Sequence, residues 1–99
     1  DPAIVGISEN VAGNMELGQN IPNPFNNTTA INYSVASKAN VTLTVVDMTG
    51  KVVMTVNEGT KAAGDYKINL DASTLAGGMY YYTLSNGGTS ITKAMSVVK

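Results

Sequence analysis

Ile21-Pro22-Asn23-Pro24-Phe25-Asn26-Asn27, followed by Thr28-Thr29-Ala30-Ile31-Asn32-Tyr33-Ser34-Val35, is the stretch on which the fold turns. Pro22 and Pro24 fix their own φ angles and bias Ile21 and Asn23 towards extended backbone. The first half is therefore read as a stiff, extended lead-in that is neither a helix nor a central strand. Phe25, the only Phe in the chain, is placed to anchor that lead-in against a core. From Thr28 the period becomes two: Ile31, Tyr33 and Val35 share one face, and Ala30, Asn32 and Ser34 share the other. That alternation marks a half-buried strand.

The same alternation runs on towards the last residue. Val41, Leu43 and Val45 are expected inward with Thr42 and Thr44 outward, and Val52, Met54 and Val56 inward against Val53 and Thr55. Asp47-Met48-Thr49-Gly50 between them reads as a tight hairpin in which Gly50 supplies the positive φ. Asn57 to Asp65 reads as a longer connection bounded by glycines, Gly64 among them. Tyr66, Ile68 and Leu70 then alternate with Lys67 and Asn69. In Asp71 to Gly78, Asp71 or Ser73 is expected to cap a single helical turn while Leu75 dips inward. Met79 to Ser85 reads as a strand, Asn86-Gly87-Gly88 as a hairpin, and Thr89 to Val98 as the closing strand. No apolar stripe persists at helical spacing. About seven short strands with regular turn signals predict an all-β, Ig-like antiparallel β-sandwich, with a small barrel as the alternative.

Upstream, residues 1–20 are expected to be a linker. Gly6, Gly13 and Gly18 break up short apolar pieces such as Ile4-Val5 and Val11-Ala12, too little to offset the cost of ordering, although part of the stretch can add an edge strand. The expected domain is 21–99.

Composition narrows the function. The 99 residues carry a net charge of −1 from six Lys and seven acids, with no Arg, His or Cys. The dispersed lysines form no basic stripe, and the bidentate contacts that Arg makes with nucleic acid are not available. Thiolate metal sites, disulfides and a Cys nucleophile are excluded. No apolar run reaches the roughly 18 residues that span a bilayer, and no secretory signal opens the sequence. Asp47, Asp65 and Asp71 stand one to a loop, where Asp ordinarily closes a turn, too sparse for a calcium cage. Ser73 and Ser90 have no candidate base, so neither catalysis nor a cofactor is expected. Tyr80 and Tyr82 fall on one face and Met79 and Tyr81 on the other, which is packing rather than a sugar-stacking platform. In the last strand Lys93 shares a face with Ile91, Met95 and Val97. This is the ordinary pattern of a protected edge strand, and the same edge has the backbone groups to pair with a receptor strand or with a second copy.

Read in order, Leu17-Gly18-Gln19-Asn20-Ile21-Pro22-Asn23-Pro24-Phe25-Asn26 and Thr28 to Tyr33 resemble the start of a known domain. That domain is the type A C-terminal sorting domain of the type IX (Por) secretion system of Bacteroidetes. The resemblance continues through Val45 to Val53 with its Asp47…Gly50 turn, Ala63-Gly64, Asp71 to Tyr80, and Thr92 to Lys99. Lys51 stands where the family often has Arg, Ala94 where a second Lys is common, and Ile21 where an aromatic is frequent. The Ig-like domain related to flagellar hook-capping proteins shares much of the pattern, and the Lys93 to Lys99 ending favours sorting.

The resemblance implies an address label for a covalently fused cargo. The cargo would be in the periplasm in transit, cross the outer membrane by the type IX translocon and shuttle, and lose its tail to a sortase-like peptidase. It would then stay at the cell surface or outside the cell. The resemblance implies recognition through Gly78, Tyr80, Lys93, Met95, Val97, Val98 and Lys99, and processing in the segment before Pro22. The rival readings are a non-catalytic adhesion or carbohydrate-binding accessory module and a flagellar-type assembly module.

Overall fold

The structure is a computed structural model and describes residues 11, 12, 15–86 and 88–99. Eight strands follow one another: β1 (Val11–Ala12), β2 (Met15–Leu17), β3 (Thr28–Val35), β4 (Ala39–Asp47), β5 (Val52–Lys61), β6 (Gly64–Asp71), β7 (Gly78–Ser85) and β8 (Ser90–Val97). They form two antiparallel sheets in the orders β1-β2-β3-β6 and β5-β4-β7-β8. In the letters of the Ig fold, β2, β3 and β6 stand at A, B and E, and β5, β4, β7 and β8 at C′, C, F and G. The expected all-β sandwich is what the chain forms, and no helix occurs among the described residues.

The alternation read from β3, β4, β6, β7 and β8 becomes the core. Ile31, Tyr33 and Val35 of one sheet meet Val41, Leu43, Val45, Tyr82 and Leu84 of the other, all buried. Ile68, Leu70, Ile91, Met95 and Val97 close the layer, with Val53, Met54, Val56 and Leu75 packed against it. Burying such side chains is worth roughly 1.5–3 kcal/mol each relative to exposure, which makes this layer the main source of stability.

Several expectations are corrected. The lead-in is a run of bends rather than an extended segment, and its Ile21–Pro22 and Asn23–Pro24 peptides are cis. Val52 is 53% exposed, because β4 pairs Val45 with Met54 but Val46 with Val52. That bulge takes up Val53 as the extra residue, turning Val52 out and Val53 in. A second shift, between Val41–Gly59 and Thr42–Asn57, leaves Glu58 as the extra residue. The expected long connection 57–65 is mostly strand, since β5 runs to Lys61 and only Ala62 and Ala63 separate it from β6. Asp71 accepts a hydrogen bond from the Ser73 amide at 2.9 Å, but it closes an Asx turn rather than a helical turn.

Within the stretch read as linker, β2 adds a strand to β3, and Met15 and Leu17 are fully buried. Residues 1–10, which hold Ile4-Val5 and Gly6, lie outside the described residues, as do Gly13 and Gly87.

Candidate functional site

The connections divide between two ends of the sandwich. The lead-in 20–27, the β4–β5 turn, the β6–β7 loop and the residues after β8 gather at one end, here the near end. Hydrogen bonds join the lead-in, the β6–β7 loop and the residues after β8: the Ala72 amide donates to the Asn27 carbonyl at 2.8 Å, and the Val98 amide to the Phe25 carbonyl at 2.8 Å. Lys99 Nζ donates to the carbonyls of Ala72 (3.1 Å) and Ser73 (3.4 Å). Gly77 lies close against Lys99, where a Cβ on the glycine would stand 3.4 Å from Lys99 Cγ.

The lead-in is a clip on the outer edge of β8. Phe25 is buried and forms a parallel bridge with Val97, its amide donating to the Ser96 carbonyl at 3.1 Å. Asn23 Oδ1 accepts the Ser96 amide at 3.0 Å, and Gln19 Nε2 donates to the Ala94 carbonyl at 2.7 Å. The backbone groups that would otherwise form an open edge along 94–98 are therefore engaged by residues 19–25. Pairing of a receptor strand along this half of β8 requires the clip to leave.

Behind the clip lies a polar network that sequence reading missed. Asn20 is buried, and its amide donates to the Tyr82 hydroxyl at 2.9 Å, which in turn donates to the Gly18 carbonyl at 2.9 Å. Asn20 Nδ2 reaches the Pro22 carbonyl (3.0 Å) and Thr29 Oγ1 (3.2 Å), and Thr29 Oγ1 donates to the Pro22 carbonyl at 2.8 Å. Burial pushes the Tyr82 hydroxyl up to about 12, partly offset by the Asn20 amide. Among the described residues no buried side-chain polar atom lacks a partner. No local signature marks Asn20, because its partners stand up to 62 positions away.

The β4–β5 turn forms as read. Asp47 Oδ1 accepts the Thr49 amide (2.9 Å), the Thr49 hydroxyl (2.6 Å) and the Lys51 amide (3.0 Å), while Gly50 takes φ 89°. The Thr49 hydroxyl and then the Lys51 amide hold the Asp47 carboxyl below its usual range. Asp71 is lowered likewise by Ser73, with a smaller contribution from the Lys99 charge. A shallow groove of about 240 Å³ separates this turn from the start of β7, lined by Asp47, Met48, Thr49, Gly77, Gly78, Met79 and Tyr80.

Among the residues proposed for recognition, the β7–β8 register pairs Gly78 with Val97 and Tyr80 with Met95. Tyr80, Met95 and Val97 are buried, and Tyr80 donates to the Ala76 carbonyl at 2.8 Å. Gly78, Val98 and Lys99 are exposed and Lys93 is half-buried. Pro22, Asn23, Pro24, Phe25, Asp47 and Gly50 all belong to the near end, whereas Gly64 lies at the other, opposite Val35. Among the described residues no group of three or more Asp, Glu, His or Cys is close enough to hold a metal ion.

The chain is an Ig-like sandwich whose ordered motifs, Ala63-Gly64 apart, lie towards one end. The family model described as the secretion system C-terminal sorting domain matches residues 20–98, and the chain belongs to this family of type IX sorting domains. Members are C-terminal sorting signals of proteins that Bacteroidetes secrete through the outer membrane. No curated protein and no solved structure matches the chain.

Proposed function

We propose that this domain carries a fused cargo from the periplasm through the type IX translocon and is then cut away by a sortase-like peptidase. The cut falls in the segment before Pro22, and the cargo stays at the cell surface or is released. The domain itself performs no bond-making chemistry. The observation that carries this reading is the convergence of the family's motifs. The clip, the Asp71–Gly78 loop and the β8 ending meet at one end and bond to one another, and the Asp47–Gly50 turn, closed by its own bonds, lines a groove beside them.

In this reading the recognition residues divide by burial. Gly78, Lys93, Val98 and Lys99 offer contact surface, while Tyr80, Met95 and Val97 fix the hairpin that presents it. Gly78 has φ 150° and open space beyond its Cα, so a side chain there strains the backbone and also intrudes on whatever docks.

The test is export of a periplasm-directed fluorescent protein fused to residues 1–99, in a type IX-competent strain and its translocon-null sibling. Reporter outside the cell only in the competent strain, trimmed before Pro22, is the expected result. Reporter held in the periplasm of both strains, with the domain folded, would refute it.

A further inference from the structure

The outer faces of the two sheets differ in charge. Across β2-β3-β6, register places Glu16, Ser34 and Asp65 in one row and Asn32 with Lys67 in the next, an ordinary solvated face. Across β5-β4-β7-β8 the rows read Asn57-Thr42-Ser85-Ser90, then Thr55-Thr44-Thr83-Thr92, then Val52-Val46-Tyr81-Ala94. None of these side chains carries a charge at neutral pH.

The uncharged face also changes along its length. Its far half is hydroxyl-rich, and Thr83 and Thr92 share a hydrogen bond of 2.8 Å. Its near half is apolar. Among the described residues, every exposed large hydrophobic side chain except Ile21 lies on or beside that half: Met48, Val52, Met79, Tyr81 and Val98. The bulge after Val45 is what turns Val52 out to join them. Asp47, Lys51 and Lys99 stand only at the strand ends around it. Contiguous exposed apolar surface of this kind marks an interaction site.

We propose that this apolar half-face docks the sorting receptor, and that the receptor's matching surface is itself apolar and uncharged. The proposal rests on the sorting reading above. Two observations select this occupant. A charged partner surface would lose hydration here and find no opposite charge to pair with. The patch is also continuous, through Met48 and Met79, with the near-end groove that the family's motifs line. Docking on the face leaves the clip in place, which pairing along the edge of β8 does not.

The experiment uses the cargo fusion in competent and translocon-null strains, with folding checked by protease resistance of the tail. Val52→Lys and Tyr81→Lys each set a charge against the receptor surface and are expected to cut export about tenfold or more while the tail stays protease-resistant. Thr55→Lys, on the hydroxyl half, is expected to be exported like the parent. A photo-crosslinking residue at position 81 should capture a translocation component, and the same residue at position 55 should not. Parent fusion that is not exported, or is exported equally without the translocon, refutes the sorting reading itself. Translocon-dependent export that is indifferent to Val52→Lys and Tyr81→Lys overturns the patch alone. So does equal loss with Thr55→Lys, or capture at position 81 of only a second copy of the chain.

Discussion

The two ends of the sandwich are built from similar residues but differently connected. At the far end, Ala62 and Ala63 link β5 to β6, and Asn86 closes its own turn by accepting the amides of Gly88 (3.2 Å) and Thr89 (2.9 Å). These bonds stay within one turn. At the near end the clip bonds to β8, the β6–β7 loop to the clip, and Lys99 to the β6–β7 loop. Loops that hold one another in this way form a surface with a defined shape. The clip, the Asp71–Gly78 loop and the β8 ending do so, while the Asp47–Gly50 turn closes on itself beside them and Ala63-Gly64 lies at the far end.

The sharpest way to break this comparison is Phe25→Ala. Removing a buried aromatic that holds the clip is expected to cost about 3–5 kcal/mol, read by urea unfolding. A cost below about 1 kcal/mol would mean that the clip rests on the domain without supporting it. Next, Tyr82→Phe keeps the ring but removes the bridge between Asn20 and Gly18, with an expected loss of about 1–3 kcal/mol. Asn23→Ala should act more locally, speeding hydrogen exchange at Ser96 more than at Ser90. The smallest contrast is between two lysines, one at each end. Lys99→Ala should cost about 1 kcal/mol or less through its carbonyl contacts, and Lys38→Ala no more than about 0.5 kcal/mol.

The tyrosines set a pH limit. Burial pushes the Tyr82 hydroxyl up to about 12 in the fold, above the ordinary phenol value of about 10, so the native state retains a proton that the unfolded chain releases. Stability is thus full below about pH 10 and falls as pH rises towards 12. Tyr33 adds in the same direction: burial, and then its 2.7 Å hydrogen bond to Glu58, raise its hydroxyl further. Asp47 and Asp71 are lowered, so the near-end turns they close should loosen as pH drops below about 4. Chemical unfolding at pH 9, 11 and 12, with Tyr82→Phe beside the parent, checks the alkaline side. The variant should lose less than the parent between pH 10 and 12.

Most of the fold was legible because period-two patterning survives wherever a strand is regular, as in β3, β4 and β7. It failed where the backbone departs from that period. A bulge reverses the alternation without changing composition, so Val52 read as core and Val53 as surface. Met15-Glu16-Leu17 is too short to register as periodic, yet two of its side chains are fully buried. The site was legible as separate motifs but not as an assembly. Nothing local in Asn23-Pro24-Phe25 says that it seals a strand some 70 residues away, because that contact follows from the sandwich closing. The Asp47 turn, whose bonds span four residues at most, was readable as written.

The most direct measurement is export of the cargo fusion with one end altered at a time. In one variant the near end carries Asn23→Ala, Gly78→Ala and Lys99→Ala, and in the other the far end carries Lys38→Ala, Ala62→Ser and Ala63→Ser. Both tails are verified as folded by protease resistance. The near-end variant should remain in the periplasm while the far-end variant reaches the surface through the translocon. Equal export of the two, or loss confined to the far-end variant, would contradict the assignment of sorting to the near end.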